Sequence, residues 1–495
     1  MEKQLPKNWI NVYLQDVTKN VKGKKPKIQS EIEFDGSVPY MDIKALEYKE
    51  IRQFADIESS KHFEEGDVAM VWDGARSGWV SKTNFGAIGS TLVAFKPIKI
   101  NSNYLFYYLL EKYPFINSNA RGVGIPHVDP TILWSLDFPL PPLFEQNRIV
   151  TRLDALFAQL ETIKSSMANV PLLLKDFRQQ VLTQAVTGKL TEEWRKGKSL
   201  KSEKDLDSIK KLKNSLLNKG ILKKNKLEPV KKEELILELK PSDWESCIFD
   251  DIFKFIDYRG KTPTRTNEGV RLVTAKNIKM GYLSDNPIEF IDSNQYESWM
   301  TRGLPLIGDI FFVTEGHTMG NVALNNRTDK FVLAQRTLTL QSFSEISTGF
   351  FFYLIMSEKF QLIVDENATG TAAKGIKAAK FKNLPILFPS IQEQQEIVSR
   401  VESLFAKADI IEKQYETLKA KIDNLPQALL HKAFKGELTE QLASDGDASE
   451  LLKEIEALKA VSGKVKKGGK VVKSYEIKDE VLGMVAEANT IYLKN

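Results

Sequence analysis

Four histidines, His62, His127, His317 and His431, are the side chains that could hold a metal ion or move a proton near neutral pH. Their spacing suits neither task. No HExxH, Walker A or GxSxG string occurs, so zinc hydrolysis, a phosphate-cradling loop and an activated serine have no motif to rest on. The lone cysteine, Cys247, excludes an internal disulfide and any cysteine-based zinc cluster. Gly122 to Gly124 reads GVG, but Ile125 and Pro126 follow, which is not a dinucleotide fingerprint. Asp129 to Ile132 reads DPTI. It fails at its third position the Asp/Asn-Pro-Pro-aromatic string with which many adenine methyltransferases hold a target base. The expectation is a chain without catalytic residue, metal or cofactor of its own.

The chemistry that the sequence does offer is cationic. A net charge of +5 says little by itself. Placement says more: lysines crowd residues 19–27, 196–232 and 459–473, and basic residues recur from Lys254 to Lys279. Such clusters suit phosphate. The runs 196–232 and 459–473 lack interleaved aromatics and read as a solvated linker and tail. Glycine lets backbone approach a ligand closely, so cations beside glycine-flanked loops are the candidates for phosphate contact. These are Lys24, Lys44 and Arg76 in the first half, and Lys261, Arg265, Lys276, His317 and Arg336 in the second. Each has an alternative reading as an ordinary surface cation. Gln335 beside Arg336 is either a reader or a strand end. Trp9, Trp72, Trp79 and Trp244 read as core or turn packing rather than base stacking.

What must position these loops is visible as a repeat. Residues 141–192 align with 389–440 at a constant offset, without a gap and with 17 identities in 52 positions. EQNRIVTRLDALFA (Glu145 to Ala158) faces EQQEIVSRVESLFA (Glu393 to Ala406), and AVTGKLTE (Ala185 to Glu192) faces AFKGELTE (Ala433 to Glu440). Both copies carry a seam at spacings of four and three, running from Ile149 through Leu153, Leu160 and Leu174 to Val181, and from Ile397 through Val401, Ala408 and Ile422 to Leu429. That period predicts coiled-coil helices, each needing a partner, with the other copy as the nearest candidate. A kink or a new helix start is expected at Pro171 and at Pro426.

The regions before the helices repeat more faintly. GKKP (Gly23 to Pro26) matches GKTP (Gly260 to Pro263), and VPYMDIK (Val38 to Lys44) resembles VRLVTAK (Val270 to Lys276). GDVAMVWDGARSGWV (Gly66 to Val80) matches GDIFFVTEGHTMGNV (Gly308 to Val322). ARGVGIPHV (Ala120 to Val128) resembles ATGTAAKGI (Ala368 to Ile376). VAMVW and IFFV read as strands closed by glycine turns, and 101–113 and 348–364 as short buried helices. Proline-rich exits, FPLPP from Phe138 and FPS from Phe388, lead into the helices. The expected order is a head at 1–140, helix 141–195, lysine-rich linker 196–238, a head at 239–388, helix 389–440 and polar tail 441–495.

The duplicated EQxxIVxR helix start and GxLTE helix end, with the proline exits and the GD…G…G turns, resemble the specificity subunits of type I restriction–modification systems. The likeness covers most of the chain. It implies an α+β chain: two mixed α/β target-recognition domains in pseudo-twofold arrangement, separated by two long antiparallel coiled-coil helices. It also implies sequence-specific binding of double-stranded DNA. Two modification (methyltransferase) subunits would dock on the helices and supply adenine methylation, while restriction/translocase subunits would supply translocation and cleavage. Glu145, Gln146, Arg152, Glu393, Gln394 and Arg400 recur outside the seam and are the candidates for partner binding. The Glu-Gln pairs read equally as stabilisers of a helix N-terminus. The second exit (FPS) and the ATGTAAKG loop depart from their first-half counterparts, and the heads diverge far more than the helices. For such heads the resemblance implies two different half-sites, hence an asymmetric bipartite target. Two readers on one face of a duplex favour a separation of about 34 Å or a multiple.

Two readings compete: a coiled-coil scaffold that binds only protein, and a self-contained methyltransferase or nuclease, since acids and lysines are plentiful enough for a dispersed nuclease site. The empty motif search speaks against the second. Diverged heads on matched helices speak against the scaffold. No apolar run approaches the ~18–20 residues that a membrane span needs, and MEKQLPKNWINVYL lacks a signal-peptide core, so a cytoplasmic location is expected.

Overall fold

The computed structural model describes residues 5–122, 124–231, 241–258, 263–334, 336–370 and 374–465, with side chains to 461. Two compact units emerge. One comprises the described residues up to Ser165 and from Lys419 onward; the other is Ser166–Leu418. Each therefore contains one head, part of its own exit helix and part of the other copy's helix.

In the first head a four-stranded antiparallel sheet runs in the order Thr18–Lys22, Leu92–Pro97, Val68–Val71, Val80–Lys82. In the second head the order is Phe253–Asp257, Thr337–Ser342, Ile310–Val313, Val322–Leu324. The two GD…G…G segments thus occupy the same place in both sheets. Their uninterrupted apolar runs have a simple cause. Side chains alternate across a strand, and both faces are covered here. Val68 and Met70 join the core that holds the Ser102–Ser118 helix, while Ala69 and Val71 join a second cluster. Ile310 and Phe312, against Phe311 and Val313, divide in the same way.

The likeness of VPYMDIK to VRLVTAK reflects a shared pairing. Tyr40 and Met41 pair in parallel with Ala87 and Ile88, and Arg271–Val273 in parallel with Phe331–Leu333. Around these ladders the heads differ. The first extends to five short strands, in the order Gln29–Ser30, Phe54–Asp56, Ser37–Met41, Gly86–Ile88, His62–Phe63. The second adds Phe290–Ile291 and a separate hairpin of Ile278–Lys279 with Tyr282–Leu283. A two-stranded ladder closes each head: Ile10–Tyr13 with Asp137–Leu140, and Glu245–Ile248 with Pro385–Phe388.

The helical expectations hold in part. Helix Leu143–Met167 ends, and Val170–Val186 restarts with Pro171 in its first turn, where the missing N–H costs no hydrogen bond. The second copy is one 44-residue helix, Ile391–Phe434, that runs through Pro426 without the new start expected there. Packing outweighs the lost bond: just beyond the proline, Leu430, Ala433 and Phe434 are buried in the first head's core. The segment expected as one helix at 348–364 is two, Thr348–Met356 and Glu358–Asn367. Ser357 divides them, accepting the Phe360 N–H at 3.3 Å as a cap. Within the second unit the helices run antiparallel. Arg178 bonds Asp409 and Glu412 at 2.7 Å each, whereas Leu190, further along, takes a bond from the earlier Arg400 at 2.9 Å.

Linker and tail are more than solvated runs. Helix Ser202–Asn218 buries Leu206 and Ile209 in the second head's core. Helix Ala448–Val465 buries Ala448, Leu451 and Ile455 in the first. The helix period, rather than the lysine count, decides their fate: a lysine on the outer face leaves the inner face free to pack. Most of the 459–473 cluster lies outside the described residues.

Candidate nucleic-acid interface

Each head is fixed at its base by a buried carboxylate. Glu393 has no solvent exposure. Its carboxylate accepts bonds from the Trp244 indole at 2.9 Å, the Thr191 hydroxyl at 2.6 Å and Arg195 at 2.5 Å. Glu145, equally buried, accepts from the Trp9 indole at 2.9 Å, Asn8 at 3.3 Å, Gln441 at 2.7 Å and Thr439 at 3.4 Å. The neighbouring amides act alike. Gln146 accepts the Asn101 N–H at 2.9 Å and donates to the Pro141 carbonyl at 2.9 Å. Gln394 accepts the Ser347 N–H at 3.0 Å and donates to the Pro389 carbonyl at 2.9 Å.

One expectation is thereby corrected. Glu145, Gln146, Glu393 and Gln394 do not present themselves to a partner protein, because all four are buried and their polar atoms are spent within their own unit. Neither is the Glu-Gln pair simply a partner of the helix dipole. Of the six candidates Arg152 is exposed, and Arg400 is half-buried, bonded to Glu396 at 2.6 Å and to the Leu190 carbonyl. The signal that sequence reasoning missed was the tryptophan and the threonine of GxLTE recurring with the acid. A buried carboxylate needs donors, and these were the donors in duplicate. The glycine of GxLTE follows too. Gly188 and Gly436 sit at φ +72° and +70°, where a β-carbon would meet Pro241 at 2.6 Å or Pro6 at 2.3 Å.

At the glycine turns, three loops of the first head converge. The Gly74 N–H donates to the Pro126 carbonyl at 2.7 Å, Asp73 bridges to His127, and the Trp72 N–H donates to Thr91 at 2.8 Å. Arg76 makes a two-pronged bond to Glu47 at 2.7 and 2.8 Å and lies 5.6 Å from the Trp79 ring. The Arg76 bond holds the Glu47 carboxyl below its ordinary range and the guanidinium above its own. Lys44 is exposed on the same Ile43–Tyr48 helix and lines a cavity with Asp42, Arg52 and Thr91. Lys24 is exposed beyond the Thr18–Lys22 strand. Two cations not picked individually from the sequence join the cluster: Lys22, 3.5 Å from Asp73, and Arg121, paired with Asp129.

The second head repeats this frame with other side chains. The Gly316 N–H donates to the Lys374 carbonyl at 2.9 Å, Glu315 bridges to Gly375, and the Thr314 N–H donates to Arg336 at 2.8 Å. Arg336 therefore stands where the first head has Thr91. It sits at φ +67°, and its guanidinium lies 3.6 Å from Glu315. It lines a cavity with Gly316, Thr369 and Lys377, a cation the sequence did not single out. His317 is exposed on the same turn. Arg265 and Lys276 form a separate pair, 3.3 and 3.6 Å from Glu289. Lys261 and Gln335 lie outside the described residues.

The GD aspartates below these turns are structural. Asp67 accepts the Glu64 N–H at 2.8 Å and Asp309 the Leu306 N–H at 2.7 Å. Burial raises both carboxyls above the ordinary aspartate range. Cys247 is buried, which pushes its thiol up and away from reactivity. Among the described residues no group of acids, histidines and cysteine could hold a metal ion, and no helix is long and apolar enough to cross a membrane.

Known proteins share this organisation. The profile of the type I restriction modification DNA specificity domain matches residues 6–170 and 241–420. The EcoBI type I restriction enzyme specificity subunit of Escherichia coli is 30% identical over 378 residues, covering 74% of this chain and 73% of that one. The EcoDI specificity subunit of the same species is 28% identical and covers 93% of this chain and 97% of its own. The MjaVIII specificity subunit of Methanocaldococcus jannaschii is 27% identical, covering 85% of this chain and 92% of its own. In fold, the HsdS subunit of Thermoanaerobacter tengcongensis superposes with a TM-score of 0.56 at 16% identity, over 88% of this chain and 99% of that one. A chain from a type I R-M complex does so with a TM-score of 0.57 at 17% identity, over 88% of this chain and all of that one.

Proposed function

This chain belongs to the type I restriction–modification DNA specificity family and recognises DNA sequence, and we propose that its two heads read two different words of an asymmetric bipartite site. One observation carries the reading. The heads share sheet order, closing ladder and three-loop frame, yet place different groups at matched positions: Thr91 against Arg336, Arg121 against Thr369, His127 against Gly375. A common frame brings loops to a groove, and different side chains at base edges spell different words. The chain performs no chemistry itself. It works in the cytoplasm and directs two modification subunits, which methylate adenine, and restriction subunits that translocate and cut. Arg152 and Arg400 belong to the surface the modification subunits meet. The names of the relatives lend the protein-only scaffold no support.

The test is selection from random duplexes by the full chain with its modification subunits. Two short motifs of different sequence, separated by a fixed unread gap, are expected. A single contiguous motif, or none, would overturn the two-reader model.

Among the readers we place Lys24, Lys44 and Arg76 in the first head, and Lys261, Arg265, Lys276, His317 and Arg336 in the second. Arg336 is the sharpest case, because an arginine fork matches guanine in the major groove. Arg336→Ala is expected to weaken binding to the selected site by about 1–3 kcal/mol and to relax preference at one base position. Equal weakening on all sequences would make it a phosphate contact instead.

A further inference from the structure

The lysine-rich linker is built into the second unit at defined points. Asn225 donates to Asp250 at 2.6 Å and accepts from Lys382 at 2.7 Å. The Glu228 N–H donates to the Ala379 carbonyl at 3.1 Å, and the Glu228 carbonyl accepts from Asn383 at 3.0 Å. The Lys231 N–H donates to Asn367 at 2.7 Å. The Glu228 carboxylate lies 3.1 Å from Lys377, which lines the Arg336 cavity. The docked segment therefore passes beside the second head's candidate reading loops.

We propose that Lys219, Lys223, Lys224 and Lys226 form a track for the backbone phosphates of the duplex that the second head reads. All four side chains are exposed, and none has a carboxylate partner among the described residues. At ~3.3–3.6 Å per extended residue, Lys226 stands within about 7 Å of Glu228 along the chain and Lys223 within about 18 Å. Lys223 also lines a cleft of about 500 Å³ with Lys213, Lys254 and Arg302. Asp257 lines it too, and Lys213 is already paired with Asp250 at 2.7 Å. A free linker would lose entropy on gripping a phosphate. A segment already pinned at Asn225, Glu228 and Lys231 offers its cations in place. Because every one of these pins is to the second unit, the track serves the half of the target that the second head reads.

The proposal rests on the DNA-reading function, and the test separates the two. Binding by the full chain with its modification subunits is measured on the selected site and on a scrambled duplex across a salt series. The variant is the quadruple Lys219→Gln/Lys223→Gln/Lys224→Gln/Lys226→Gln. The slope of log affinity against log salt is expected to shallow by about 0.9 for each phosphate that is no longer neutralised, so by about 2–4 in total, equally on both duplexes. An unchanged slope with intact wild-type selectivity overturns the track and leaves the reading function standing. So does an unchanged slope with weaker capture of the modification subunits, which would make the segment a protein contact. Wild-type protein that cannot tell the two duplexes apart refutes the function itself. A thermal melt of the variant, expected to match wild type because the four side chains are exposed, checks the fold.

Discussion

Glu393→Ala is expected to destabilise the second unit by about 3–5 kcal/mol, the usual cost of removing one partner from a buried ion pair. The carboxylate is fully buried and Arg195, its cationic partner, is 12% exposed. Truncation strands the guanidinium, the Trp244 indole N–H and the Thr191 hydroxyl together. The equivalent Glu145→Ala should cost less, about 1.5–3 kcal/mol, because its donors Trp9, Asn8, Thr439 and Gln441 are neutral. The two units thus solve one packing problem with different electrostatics. Denaturant unfolding of the full chain resolves the difference: Glu393→Ala should lower the midpoint of one transition more than Glu145→Ala lowers that of the other. Glu393→Gln should fall between wild type and alanine, since an amide oxygen can still accept from the indole but gives Arg195 no charge. Equal costs for the two alanine variants would show that Arg195 contributes nothing net.

How much of this was legible beforehand depended on whether a residue's cause was local. The strands at Val68–Val71 and Ile310–Val313, the glycine turns after them and the restart at Pro171 are set by short-range patterns, and the sequence displayed them. The likeness of VPYMDIK and VRLVTAK was legible as a likeness. Its parallel pairing was not, because the partners at Ala87 and Phe331 lie tens of residues away. The role of Glu393 was hidden for the same reason: Thr191 and Trp244 come from distant parts of the second unit's chain. Pro426 and the linker failed in a shared manner. In each, a local rule, that proline breaks helices and that lysine runs stay solvated, was overridden by a buried face. Leu430 and Phe434 hold one, and Leu206 and Ile209 the other.

Exchanging a whole head is the other large expected effect. Residues 14–136 grafted in place of 249–384 should give a chain that selects the first head's word in both halves of its target. The junctions are equivalent, since each lies just inside the closing ladder. Ile10 pairs with Leu140 and Tyr13 with Asp137, as Glu245 pairs with Phe388 and Ile248 with Pro385. The base contacts also transfer: the Asn101 N–H, which now meets Gln146, would meet Gln394 in the place of Ser347. A graft is a cleaner test than deletion, because removing the head would leave Val181, Leu182, Ile397 and Val401 without their core. On the native site the graft faces one wrong word. At about 1–3 kcal/mol per mismatched base pair, a three-base word should cost about 3–9 kcal/mol. On a site with the first word in both halves, binding should recover except for the linker's share, because the groups that pin it at Asp250, Asn367, Ala379, Lys382 and Asn383 leave with the exchanged residues. A graft that folds and still prefers the native asymmetric site would show that the second word is read from outside residues 249–384, and the division of labour between heads would have to be abandoned. A graft that reads one word but binds the doubled site no better than a half-site would place the spacing rule in the exchanged residues rather than in the helices.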